Sequence, residues 1–589
     1  MSKSINGTVT HTVILGKHGY GSSLEITTVG IVLPGAGARG VVIPASIQRG
    51  EVTNYGQVFG GAGETGGGGG GTALAALGNG LILNSGSFIG GAGGDARDQG
   101  GHGGAGALIG NGGDLFTNGH IAGGAGGNAR GGYEGGTGGT GGAGIVLDGG
   151  ALLSNAGYVS GGDGGSAGYG GRGGLGVSVR AAAAVTNYGT ITGGEAGIGY
   201  QGGQAGGSLQ GDGRAGAGIN FAQGGALSNS GLIAGGSIGF GTLTGADGVD
   251  FAGTGAVSNL GTIIGGTGAY YNSEVETGGT AGGVGLKFSG TGTISNGGTI
   301  LGGTGGFGGV SEIGGYYTGG TGGTGVIEAA RGILRNGGTV AGGAGGSGSS
   351  TNYPVPGARG GVGVAVDGAT LANAGLVSGG TGGGGYTDHG GMGGVGVVLT
   401  GGLADNSGII TGGTGGYSSH AAHGGMGGAG VSVTGGGMLD NAGTVAGGLG
   451  GVGTEGRGAA GDAVFFGTGG GTVMEEQGAT ISGAMGGWAL GDTIDLRGVE
   501  ASSFSFTAGT LTLYSASHTE VGQLAFSGSL SQSDFTIGSD GQGGTDITDP
   551  AGGAASHNLM HAMLGGDFVF DPAGESGGHW AVFLSHFAF

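Results

Sequence analysis

Residues 187–194 read NYGTITGG. The phrase, Asn-x-Gly-x-h-x-Gly-Gly with h apolar, returns at Asn54, Asn84, Asn155, Asn229, Asn259, Asn296, Asn336, Asn373, Asn406 and Asn441. A copy one residue shorter, NGHIAGG, stands at Asn118, and a degenerate one, EQGATISG, begins at Glu476. Successive Asn residues lie 30 to 42 positions apart, which is the period of a solenoid. A second phrase, G-h-x-h, lies upstream, as in GVSV at Gly176, GINF at Gly218 and GLKF at Gly285. Its alternation of period two reads as a strand. Glycine-rich stretches such as GGDGGSAGYGGRGGLG (161–176) fill the rest of each unit and absorb the variation in spacing.

Each unit therefore holds three short extended segments and one variable loop. Apolar stretches of three or four residues do not fold alone. They complete their backbone hydrogen bonds only by stacking on the same stretch of the next unit. The expected fold is all-β, a right-handed parallel β-helix of about a dozen coils with a C-terminal β cap. The apolar residue four after each Asn, Val58 and Ile191 among them, is expected to point inward. The glycine two after each Asn implies either a positive φ or a close neighbour. The Asn residues are assigned a structural role: a corner, or a side-chain ladder along the rod. For the glycine loops two readings stay open, packed extended polyproline-II-like strands or flexible linkers.

Composition narrows the function. Of 589 residues 184 are glycine and 6 proline, and no strict G-X-Y period runs through them, so collagen is excluded. The net charge of −21 argues against nucleic acid and anionic membranes as partners. Cysteine is absent, so neither disulfides nor thiolate metal sites are available. No stretch has 18 consecutive apolar residues, so no membrane span is expected. The first 30 residues lack the apolar core of a secretory signal, and Val9 to Leu15 read as one alternating strand.

The expected organisation is an N-terminal strand and cap (1–50), the repeats (51–485), a C-terminal β cap (486–550) and a tail (551–589) that is a candidate secretion signal. In the cap, SFSFT, LTLYS and GQLAFSGSL read as strands, and SDFTIGSDGQGGTDIT as a hairpin. The repeat, together with the tail GDTIDLRGVE…LAFSGSLSQSDFTIGSDGQGGTDIT, resembles glycine-rich β-helical surface proteins of proteobacteria, of the autotransporter-passenger-like or adhesin-like kind. The resemblance implies an extracellular or cell-surface location. No outer-membrane barrel is legible after the repeats, and the C-terminal region is poor in basic residues. In this the chain is similar to substrates of one-step type I secretion.

Chemical sites are sparse. GGAGGDARD (90–98) is half of a calcium nonapeptide, but it stands alone, and calcium rolls need a tandem array. The outward position of the G-h-x-h strand carries one acid, Asp250, expected to pair with Lys287 of the next coil. Polysaccharide cleavage needs converging carboxylates, so catalysis is not expected. His389 and His423 occupy equivalent places and should stack, while His557 and His561 stand four apart; neither pair has a third ligand. The column three after each Asn is an interrupted Thr row. No cofactor or metal is assigned. The expected role is a structural or adhesive extracellular rod that presents variable loops to a surface glycan or protein. Self-assembly end to end, as a filament or surface layer, is the alternative within that class, and a carbohydrate-active enzyme is the alternative outside it.

Overall fold

One coil shows how the repeat folds. Gly80–Asn84 places Ile82 and Asn84 inside, Ser87–Ile89 places Phe88 inside, and Ala107–Ile109 places Ala107 and Ile109 inside. Alternation of period two sends the residues between them outward. Each strand pairs in parallel, without slip, with its counterpart one coil back: Asn84 with Asn54, Phe88 with Val58, Ala107 with Leu74. A slip of one residue would turn Asn and Phe to solvent, so the buried column fixes the register.

The computed structural model describes residues 3–550, apart from 131–135, 200–212, 239–242, 271–277, 311–315, 330, 349–354, 387–388 and 421–422. The fold is a right-handed parallel β-helix built on three sheets, here A, B and C in the order a coil runs through them, with 18, 15 and 15 strands. Fifteen coils at about 4.8 Å make a rod of roughly 70 Å. The coils that carry the Asn phrase are flanked by coils without it. Residues 3–43, expected as a separate strand and cap, form the first two coils. The stretch from Val9 to Leu15 is not one strand: Thr8–Val9 belongs to sheet B and Val13–Ile14 to sheet C, with a corner between them.

The column four after each Asn is fully buried, from Val58 to Val445. In sheet C, Phe221 stacks on Phe251 at 4.4 Å and Phe251 on Phe288 at 4.9 Å. At the C-terminal end the last strand of the helix, Thr493–Leu496, is covered by the antiparallel hairpin Thr536–Ser539 and Thr545–Thr548. A three-stranded antiparallel sheet lies beside it (Ser503–Thr507, Thr510–Tyr514, Glu520–Ala525). Trp488 closes the core there, fully buried against Phe466, Phe526 and Phe535, and its indole N–H donates to the Asp534 carbonyl at 3.0 Å. These strands and the hairpin are those expected from the alternation. The tail 551–589 lies outside the described residues.

The glycine stretches form a second ordered layer. After the sheet B strands from Gln57–Phe59 to Thr444–Ala446 an arm runs outward and a return arm leads back to sheet C. Their backbone bonds repeat every third residue. Gly90 and Gly93 donate to Ala122 and Ala125 of the next coil, and Gly91 and Gly94 donate to Gly71 and Gly68 of the return arm below. In turn Gly101 and Gly104 donate to Gly94 and Gly91. A period of three is that of an extended helix with three residues per turn. Two glycines per turn face neighbouring backbone, where a Cβ would fall on a carbonyl oxygen, and the third residue, such as Ala92 or Asp95, faces solvent. The triplet Gly-Gly-x is thus the packing code of the layer.

Candidate binding surface

The repeat Asn residues build a ladder inside the rod. Asn229 Nδ2 donates to Asn259 Oδ1 at 2.7 Å, and Asn259 Nδ2 donates to Asn296 Oδ1 at 2.8 Å. The chain of amides continues through Asn336, Asn373 and Asn406 to Asn441, which ends it on the Glu475 carboxylate at 3.0 Å. Most Nδ2 groups also reach backbone carbonyls, as that of Asn259 does those of Gly261 and Thr299. The same run begins at Asn155 and reaches Asn229 through Asn187, and a separate, shorter run links Asn54 to Asn84. Buried and satisfied amides of this kind hold the corner between sheets A and B and leave nothing for a ligand. None of the ladder residues has a positive φ. The glycine two after each Asn is required by close approach alone: a Cβ on Gly86 would lie on the Gly56 carbonyl oxygen, and its φ is not positive.

Asn118 is the exception. It is exposed, and Thr117 takes the buried place, in register with Asn84 and Asn155. Thr117 Oγ1 accepts from Asn84 Nδ2 at 3.0 Å and from the Gly119 N–H at 3.2 Å. The phrase there is of full length, TNGHIAGG, with Thr in place of Asn.

Outside the ladder the arms project side chains. At their tips Tyr386 stacks on His420 at 4.5 Å, and the His389 and His423 rings lie parallel at 6.2 Å. The expected stacking of the two histidines is present. Among the described residues no three His, Asp or Glu side chains gather as a metal set. The variable loops GAYYNSEVETGG (268–279), GYTDHGG (385–391) and GYSSHAAHGG (416–425), expected to make the contacts, fall partly on 271–277, 387–388 and 421–422, and His557 and His561 on the tail, all outside the described residues. Asp95, of the half nonapeptide, accepts the Asn128 N–H at 2.8 Å and so serves as a link between coils.

Two acids escaped the sequence reading. Asp250 faces Lys287 in register, but its carboxylate accepts from Asn220 Nδ2 at 3.1 Å instead of closing the expected ion pair. Close by, Asp247 accepts the Val284 N–H at 3.0 Å, and burial, with a smaller push from Asp250, raises its pKa to about 6. It lies before the strand column and so went uncounted there. Glu328 is the second. It sits inside the rod, fully buried, next in register to Phe288 and Val366, and neither oxygen has a hydrogen-bond partner. Burial raises its pKa to about 8.

Comparison of the chain with protein-family models, with curated proteins and with solved structures finds no match. The surface must therefore be read from its own chemistry. At the capped end, Asp405 and Asp440 stack on adjacent coils, and Asp495 faces Asp546 across the hairpin. Arg497 pairs with Glu476 and lies 3.5 Å from Asp495 and 3.7 Å from Asp440. Burial, partly offset by Arg497, holds the Asp440 and Asp495 carboxyls above the usual range. Arg497 thus ties the last strand of the helix to the coils before it.

Proposed function

We propose that the chain is an extracellular or cell-surface structural and adhesive protein, a stiff spacer that holds contact groups away from its axis. The observation that carries this reading is the hydrogen-bonded glycine layer, which ends in the stacked ring pairs Tyr386–His420 and His389–His423. A layer so dense in backbone bonds is a costly way to build a linker, since glycine loses more entropy on ordering than any other residue. It makes sense as a rigid mount for what stands on it. Export by a route that reads the C-terminal region, and surface glycans or proteins as partners, belong to the same proposal. Among the described residues no helix is long and apolar enough to cross a membrane. Binding of the purified rod to immobilised cell-surface material tests the reading: saturable binding is expected, and its absence on every surface tried would sink it.

Assembly into filaments has one observation in its favour. Among the described residues the first strands, Lys3–Ile5, Thr8–Val9 and Val13–Ile14, each pair on one side only, which leaves their other edges open to a second copy. The opposite end is covered by antiparallel strands, so head-to-tail growth would have to displace the cap. The enzyme reading rests on Asp247 beside Asp250. Release of reducing ends from polysaccharides, lost in Asp250→Asn, would establish it.

A further inference from the structure

The described coils differ in one respect that follows neither the core nor the ladder. From Asn259 onward, in six successive phrase-bearing coils, the twelve residues that begin at each Asn contain no charged side chain: 259–270, 296–307, 336–347, 373–384, 406–417 and 441–452. In a chain of net charge −21 this is a selective gap. Of the earlier coils, those at Asn54, Asn84, Asn155 and Asn187 place Glu64, Asp95, Asp163 and Glu195 in the same segment, while those at Asn118 and Asn229 carry no Asp, Glu, Lys or Arg there.

These twelve residues form one face. They run through the sheet B strand and into the outgoing arm, and the ladder between coils continues from one to the other. Strand Thr262–Ile264 pairs with Thr299–Leu301, and Gly268 then donates to Thr304 at 2.9 Å, Gly305 to Ala344 at 2.9 Å and Gly382 to Thr414 at 2.8 Å. The outward positions are three, five, eight and eleven after each Asn. They carry Thr, Ser, Ala, exposed aliphatics such as Leu376, Ile409 and Leu449, and, at the arm's outer column, the exposed rings of Tyr270, Phe307 and Tyr417. Six coils at about 4.8 Å by eight residue steps at about 3.1 Å give a surface of roughly 700 Å², close to one side of a standard interface. The other two faces of these coils keep their charges: Lys287, Arg335, Asp367, Asp405 and Asp440 point out from sheets A and C.

We infer that this face binds a neutral, regularly repeating polysaccharide. Aromatic rings offer flat apolar contact to the CH faces of sugar rings, and rows of Thr hydroxyls at coil spacing offer donors and acceptors to their edges. The absence of charge matches an uncharged polymer. It spares the desolvation that buried carboxylates would cost, while the net negative charge of the rod repels acidic polymers. The inference deepens the adhesive reading by naming a partner class, and it moves the contact from the arm tips to a flank.

The test is depletion of the intact chain from solution by microcrystalline cellulose and by chitin, with a soluble polyuronate as the acidic comparison, at low and high salt. Binding to at least one neutral solid is expected, insensitive to salt, with none to the polyuronate. The triple variant Thr304→Glu, Thr381→Glu, Thr414→Glu should lose at least tenfold in affinity. All three positions are exposed, so folding should survive, which circular dichroism checks. Ala92→Glu, at the equivalent column of the acid-bearing coils, should bind as the parent does. Phe307→Ala with Tyr417→Ala should weaken binding without adding charge. Failure of the parent chain to bind any neutral solid overturns the inference, as does binding that the triple variant leaves intact. So does a face-to-face dimer that the triple variant dissociates, or inhibition of ice recrystallisation without glycan binding. If the triple variant still holds to cell surfaces but loses that on changes at the arm tips, the flank is wrong and the adhesive reading stands. If the parent chain binds neither, both fall.

Discussion

The strand triangle and the glycine layer are two parts of every coil, and they are held by different physics. The triangle buries Val, Ile, Leu and Phe columns, so it draws mainly on the removal of apolar surface from water. The layer buries almost no side chain. It is held by backbone hydrogen bonds each worth about 0.5–1.5 kcal/mol net, against an ordering cost that for glycine exceeds that of alanine by about 0.5–1 kcal/mol per residue. The first part tolerates exchange among apolar residues of similar volume, while the second holds glycine at nearly all its facing positions, with Ala246, Ala269, Thr280 and Ala358 as small exceptions. A substitution of the same size should therefore have opposite consequences in the two regions.

The largest effect is expected at Gly91. Its N–H donates to Gly71 at 2.8 Å, and a Cβ there would fall on the Gly61 carbonyl. Gly91→Val should cost about 3 kcal/mol or more by overpacking and loss of backbone bonds, whereas Ala92→Val, one residue on and exposed, should stay within about 0.5 kcal/mol. Equal denaturation midpoints for the two variants would erase the distinction.

Within the triangle the weak point is Glu328, and it should show in pH dependence. Below its unfolded pKa near 4.5 the side chain is protonated in both states, and its full stability is present. As pH rises, the unfolded chain ionises while the folded one holds the proton up to about 8, so stability falls across that window and levels off above it. At pH 7 the loss is about 3 kcal/mol. Glu328→Gln should remove this slope, and Glu328→Val should also raise stability at neutral pH. Denaturant melts at pH 4.5 and pH 8 measure both. Parallel slopes for parent and variants would contradict the buried, unpartnered carboxyl.

Smaller changes are expected along the ladder. Asn259→Ala leaves a gap where Asn229 and Asn296 lose a partner, and should cost about 2 kcal/mol. Thr117→Asn should join the two runs of the ladder and gain about 1 kcal/mol. A loss at Thr117→Asn would mean that Thr is preferred there for its own contacts.

Much of this was legible in the sequence. The Asn phrase sets register, inward column and corner at once, because a stacked coil gives each position one environment repeated along the rod. Thr117 is masked by its neighbour Asn118, which imitates the phrase one residue late, although Gly119, Ile121 and Gly123 align in full with Thr117 as the first position. The order of the glycine arms stayed open because sequence patterns are read from side chains, and here the contacts are made by backbone. The triplet Gly-Gly-x was in plain view at 90–95 and 302–307, but its period of three has no apolar face to mark it. Asp247 was missed because it stands outside the strand. Glu328 follows from the alternation itself: Ile327 stands in the outward column with Lys287, so its neighbour falls inside.

Hydrogen exchange of the arm segments tests the central point most directly. If the glycine layer is an ordered part of the fold, amides of Gly91, Gly94, Gly101 and Gly104 will exchange as slowly as those of the adjacent strands Ser87–Ile89 and Ala107–Ile109, on a scale of hours. Exchange of these glycines at the rate of an unstructured chain, beside protected strands, would contradict it and reduce the arms to linkers.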